Sequence, residues 1–135
     1  MEKEIRNVIC IEKNKKRNAL IELTEKGDTV MIRFSIEKLI LKKEGDNFFE
    51  TLIKLREELE RIGIKLLCKG CCKNVYPSEM LLSMGAGRNA YTLIYGEQAK
   101  MNSLVDIFDS CLMEEYATVK EQSEYFEKWT VSLRR

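Results

Sequence analysis

Histidine is absent from all 135 residues. Its absence excludes Ser-His-Asp and Cys-His catalysis, the metalloprotease helix motif and every histidine-containing zinc site. Any enzyme built on this chain would rely on carboxylates, Lys, Tyr, Cys or a cofactor. Proline occurs once and glycine seven times, which leaves little room for long disordered tracts. No apolar run approaches the roughly 20 residues needed to span a bilayer. The opening MEKEIRNVICIEKNKK has no apolar stretch of signal-peptide length, so a cytoplasmic location and no membrane partner are expected. An excess of charge of either sign is also missing. The net charge of +1 argues against a protein built mainly to coat nucleic acid.

What is present suits one globular domain over residues 1–135, long enough to hold a single core without disulfides. Hydrophobic residues make up 44% and charged residues 33%, the ordinary balance of a folded chain. Charge is unevenly placed. Residues 1–45 carry eleven Lys or Arg against eight acids, whereas residues 106–128 carry seven acids against Lys120 and Lys128. A local acidic surface of this kind is either a solvated helix face or a landing site for a basic partner.

RNALIELTEKGDTVMIRFSIE reads as a hairpin. Ala19, Ile21 and Leu23 share one face, and Val30, Ile32, Phe34 and Ile36 share another, around the turn Glu25-Lys26-Gly27-Asp28. NVICI at 7–11 is a further strand candidate, followed by the polar loop KNKK. Phe48, Leu52, Leu55, Leu59 and Ile62 fall at helical steps, with Asp46 or Asn47 to cap the start and Gly63 to end the helix. IKLLC (64–68) and AYTLIY (90–95) read as strands, and Pro77 opens a short helix that Gly85 closes. Thr118 and Glu121 form a capping box for a last helix whose stripe is Tyr125, Phe126, Trp129 and Leu133, with Trp129 as a core anchor. The expected fold class is α+β: one antiparallel or mixed sheet of four to five strands, covered by two main helices and one short helix.

The cysteines do not make a legible metal or redox motif. Cys68-Lys69-Gly70-Cys71-Cys72 contains a C-x-x-C, and Gly70 would permit the tight turn of a zinc knuckle. No second knuckle follows, however, and Cys10 and Cys111 stand alone. The motif also follows a strand and precedes a loop, whereas redox cysteines sit at helix N-termini. Met84-Gly85-Ala86-Gly87-Arg88 runs from helix to strand, the reverse of a phosphate loop. No cofactor and no metal are therefore expected. Asp106, Asp109, Glu114 and Glu115 offer carboxylate pairs, and Lys73, Tyr76, Ser78 and Ser83 offer hydroxyl and amine groups, without a motif that organises them.

The segment VYPSEMLLSMGAGRNAYTLIYGEQAKMNSLVDIFDS, continuing to ATVKEQSEYFEKW, resembles a group of small bacterial proteins. In them a Tyr-Pro-Ser-Gly-Met-like segment, a Met-Gly-x-Gly turn, a hydrophobic strand and a Leu-Val-Asp-Ile-Phe segment recur in this order. Glu79 stands here where that pattern often has glycine. These proteins look like immunity proteins of polymorphic toxin systems, including contact-dependent growth inhibition. The resemblance spans residues 75–129. It implies a non-catalytic protein that neutralises a cognate toxin domain, for instance a basic nuclease, by binding it through a partly acidic surface, without touching nucleic acid itself. If the 68–91 loop and the acidic segment share one surface, the expected partner contacts are Tyr76, Arg88, Asp106, Asp109, Glu114 and Glu115. The alternative is a small enzyme or anionic-ligand-binding domain with a pocket around Tyr76, Arg88 and Tyr91.

Overall fold

A computed structural model describes residues 2–134 and gives an α+β architecture. The first four strands form a meander: β1 (Glu2–Glu12), β2 (Lys15–Lys26), β3 (Thr29–Ile36) and β4 (Leu39–Gly45). Helix α1 (Phe48–Arg61) follows, and β5 (Ile64–Leu66) returns to pair with β1. All neighbours are antiparallel, in the order β4-β3-β2-β1-β5. Register follows the alternation read from the sequence. Ile21 lies opposite Phe34 and Leu23 opposite Ile32, so their side chains share the buried face. Gly27 takes φ +61 in the two-residue turn between β2 and β3, a conformation that favours glycine.

Several strands differ from expectation, and β4 has no counterpart in it. NVICI is the middle of an eleven-residue strand, and Lys15 and Lys16 of the expected polar loop belong to β2. Only Lys13 and Asn14, both at positive φ, make the turn. The expected strand at 90–95 does not join this sheet. The strand observed there, β7 (Asn89–Thr92), lies between β6 (Val75–Tyr76) and β8 (Leu104–Asp106) in a second, three-stranded sheet.

Helix α1 lays Phe48, Leu52, Leu55 and Leu59 on the sheet, while Ile62, the last residue of the expected stripe, is exposed at the helix end. The Asn47 side chain accepts from the Glu50 amide at 2.9 Å and donates to its carboxylate at 2.8 Å, which fixes the cap between the two candidates. Helix α2 (Glu79–Ser83) is capped by Ser78, so Pro77 precedes the cap instead of opening the helix, and Pro77 is buried. Helix α3 (Val119–Ser132) begins with the expected reciprocal bonds between Thr118 and Glu121.

A buried polar knot ties α3 to the rest. Arg56 of α1 is 2% exposed and donates to the carbonyls of Gly70 (3.1 Å) and Ala117 (2.9 Å) and to Gln122 Oε1 (2.6 Å). The Gln122 amide donates in turn to the carbonyls of Gly70, Cys72 and Val75, each at 2.9 Å. Among the described residues no carboxylate pairs with Arg56, so its charge is held by carbonyl and amide oxygens alone. Gln122 is the only residue of α3 that is fully buried.

Candidate functional site

The six expected contact residues fall in three places. Arg88, Asp106 and Asp109 come together. Strand alternation turns Glu4 and Arg6 of β1 to the same side as Val8 and Cys10, and β8 brings Asp106 beside them. Arg88 donates to Glu4 at 3.0 Å and to Asp106 at 3.0 Å. Arg6 donates to Glu4 at 2.6 Å, Asp106 at 3.1 Å and Asp109 at 3.2 Å. The Arg88 guanidinium also lies over the rings of Phe48 and Phe108, 5.5 and 5.3 Å from their centroids. Arg88 is thus engaged by carboxylates and aromatic faces of its own chain. The cleft beside it is lined by Lys3, Glu4, Leu23, Glu25 and Phe48, not by Tyr76 or Tyr91.

Hydrogen bonds from Arg88 and then Arg6 hold the Glu4 carboxyl below its ordinary value of 4.5. A carboxyl depressed in the folded state contributes stability above its unfolded pKa, and that contribution is lost as pH falls through the folded value. The urea midpoint is therefore expected to drop when pH is lowered from 7 into the range below 4.5. In Arg88→Met the drop should be smaller, because Glu4 returns toward its ordinary value. An equal drop in both proteins would remove Arg88 as the cause.

Tyr76 stands in an aromatic column elsewhere. Its ring meets Phe49 edge-on at 5.0 Å and stacks on Phe126 at 4.0 Å, with Phe126 against Trp129 at 5.9 Å. Tyr76 therefore joins α1 to α3. Tyr91 is its cross-strand neighbour. Trp129 is only half-buried, which corrects its reading as a core anchor: it caps the open end of the column and donates Nε1–H to the Glu97 carbonyl at 3.0 Å. Tyr76→Phe should leave stability within about 0.5 kcal/mol, and Tyr76→Ala should cost about 3 kcal/mol by urea unfolding, since the ring and not the hydroxyl makes these contacts.

Glu114 and Glu115 lie on a 3-10 turn, Met113–Glu115. Glu114 is exposed. Glu115 accepts from the Leu112 amide at 2.8 Å and faces the Lys69 ammonium at 3.5 Å. Beside it, the Sγ atoms of Cys72 and Cys111 and a Glu115 carboxylate oxygen all lie within 4.8 Å of one another. Cys111, isolated in sequence, thus has a partner in space. The nearness of the two thiols makes Cys72 more acidic and, together with burial, pushes Cys111 up, and the Cys72 thiol donates to the Cys68 carbonyl at 3.9 Å. Cys10, Cys68 and Cys71 are buried and raised chiefly by desolvation, the condition of inert core thiols.

A one-sided concentration of charge lies where sequence does not place it. A cleft of about 600 Å³ is lined by Glu25, Asp28, Asp46, Glu50 and Glu79, with Asn47, Val30, Leu82 and Ala86 among its other walls and, among the described residues, no Lys or Arg. The β2–β3 turn, the start of α1 and helix α2 each contribute acids. In sequence these are spread over 25–79, and each reads locally as a turn or helix-start acid. The cleft can accept an ammonium or guanidinium. Compared with protein-family models and with curated proteins, the chain gives no match.

Proposed function

We propose that this chain is a non-catalytic immunity protein that binds and neutralises a basic toxin domain, with the acidic cleft as the centre of its contact surface. The observation that carries this reading is a cleft walled by five carboxylates and, among the described residues, lacking any cation in its lining. Unpaired negative charge steers a basic partner and orients it on encounter, and a binding protein needs no reacting group. The pattern of residues 75–129 supports the same class of function. Relative to the sequence expectation, the proposed contact shifts from Asp106 and Asp109, which face Arg6 and Arg88, to Asp46, Glu50 and Glu79.

The test is titration calorimetry against the product of the neighbouring gene, with growth protection against that product as the cellular readout. The native protein should bind it and protect. Asp46→Lys with Glu79→Lys should weaken binding by about thirtyfold or more, equivalent to about 2 kcal/mol. Association should also slow as salt rises. Native affinity in the folded double variant would remove the cleft from the interface. Absence of binding by the native protein would remove the immunity reading.

A further inference from the structure

We propose that Cys72, Cys111 and Glu115 form a binding site for a thiophilic divalent cation, Zn²⁺ in the first instance. The inference is independent of the toxin-binding reading and concerns the opposite chemistry, cation capture by thiolates.

The donor set has the spacing. In tetrahedral zinc sites, Zn–S is about 2.3 Å and Zn–O about 2.0–2.2 Å, which sets neighbouring donors roughly 3.5–3.8 Å apart. Here all three donor atoms lie within 4.8 Å of one another before any cation draws them in. Their backbones are already fixed. Cys72 pairs with Tyr116 in an isolated bridge and donates its amide to the Lys69 carbonyl at 3.0 Å. The Cys111 amide donates to the Leu67 carbonyl at 3.2 Å, and the Glu115 carbonyl accepts from the Lys73 amide at 3.1 Å. Two chain segments, 68–73 and 110–116, are thus stitched together at the point where the donors converge. Little ordering remains to be done on binding.

The donor chemistry selects the cation. Two sulfurs and one carboxylate favour Zn²⁺ over Mg²⁺ and Ca²⁺, which take oxygen ligands. Cys72 is 1% exposed, whereas Cys111 and Glu115 are half-buried, so the site opens to solvent on one side. Three protein donors leave the fourth position for water. Binding releases the thiol protons, so affinity rises with pH. Lys69, 3.5 Å from Glu115, supplies the positive charge that the cation would replace.

The experiment uses the full chain, reduced and stripped with a chelator, titrated with Co²⁺ as a spectroscopic stand-in and then with Zn²⁺. One equivalent of Co²⁺ should give the visible bands of a tetrahedral site and a sulfur-to-cobalt charge-transfer band, both removed by Zn²⁺. Cys111→Ser should weaken Zn²⁺ at least 100-fold and Glu115→Gln about tenfold in competition with a chromophoric chelator, while Cys10→Ser leaves affinity unchanged. Cys111 and Glu115 are half-buried, so both variants test the site without opening the core. Octahedral cobalt spectra, no stoichiometric binding, or native affinity in Cys111→Ser would each overturn the proposal.

Discussion

Arg56→Ala should lose about 3–5 kcal/mol of folding stability, a large part of the roughly 5–15 kcal/mol that holds an ordinary domain. Two effects add. The Ala117 carbonyl and Gln122 Oε1 lose the donor they have and stay buried, at about 1–3 kcal/mol each. The deleted side chain, 2% exposed, also leaves a cavity between α1 and the chain around Gly70. Arg56→Lys should rescue little, because one ammonium cannot reproduce a planar fork that donates to Gly70, Ala117 and Gln122 at once. Gln122→Ala should cost less on its own, since the Gly70 carbonyl keeps its bond from Arg56. The double variant should lose less than the two single losses combined, as expected of residues in one network. The measurement is urea unfolding, read as a midpoint shift at constant slope. A loss below 1 kcal/mol in Arg56→Ala would mean that the knot does not hold α3 in place.

The same knot shows where sequence reasoning stops. Apolar periodicity identifies α1 from Phe48, Leu52, Leu55 and Leu59, and the β2–β3 hairpin from its alternation, because burial of one face leaves a direct mark on residue type. Arg56 lies four residues beyond Leu52, on the buried face, yet an arginine in a charged helix reads as solvated. Its burial is set by carbonyls from residues 70 and 117, which no local window contains. Strand β4 leaves a weak mark for another reason. Its inward positions are Leu39, Leu41 and Lys43, its outward ones Ile40, Lys42 and Glu44, and the burial contrast is slight along an edge strand. Of the site residues, proximity in sequence to the Tyr76–Arg88 segment does not translate into a shared surface. Tyr76 serves the aromatic column, and Arg88 serves Glu4, 84 residues away. The acidic cleft has five contributors with separate local reasons to be acidic, so only their convergence distinguishes it.

Gly70→Ala is expected to cost about 3 kcal/mol, at the upper end for overpacking, although the change adds a single methyl group. The C-x-x-C context suggests a glycine needed for a tight turn, but Gly70 is not among the glycines at positive φ. Its requirement is for space. A Cβ there would meet Leu52 Cδ2 at 2.7 Å, Ile107 Cβ at 2.9 Å and the Ile107 carbonyl oxygen at 3.2 Å. Leu52 and Ile107 are both fully buried, so neither has solvent to move into. Backbone retreat is blocked as well, because the Gly70 amide donates to the Ile107 carbonyl at 2.8 Å while its own carbonyl accepts from Arg56 and Gln122. Gly63→Ala provides the contrast: its Cβ would meet nothing within 4 Å, and its φ of +81 would impose a backbone cost of about 1 kcal/mol alone. Steric origin is tested by combining Gly70→Ala with Leu52→Val, which removes the nearest methyl. The pair should lose less stability than the two changes taken separately. Strict additivity would move the cost from the Leu52 contact to the Ile107 backbone, and a loss under 1 kcal/mol in Gly70→Ala would show that this seam can open.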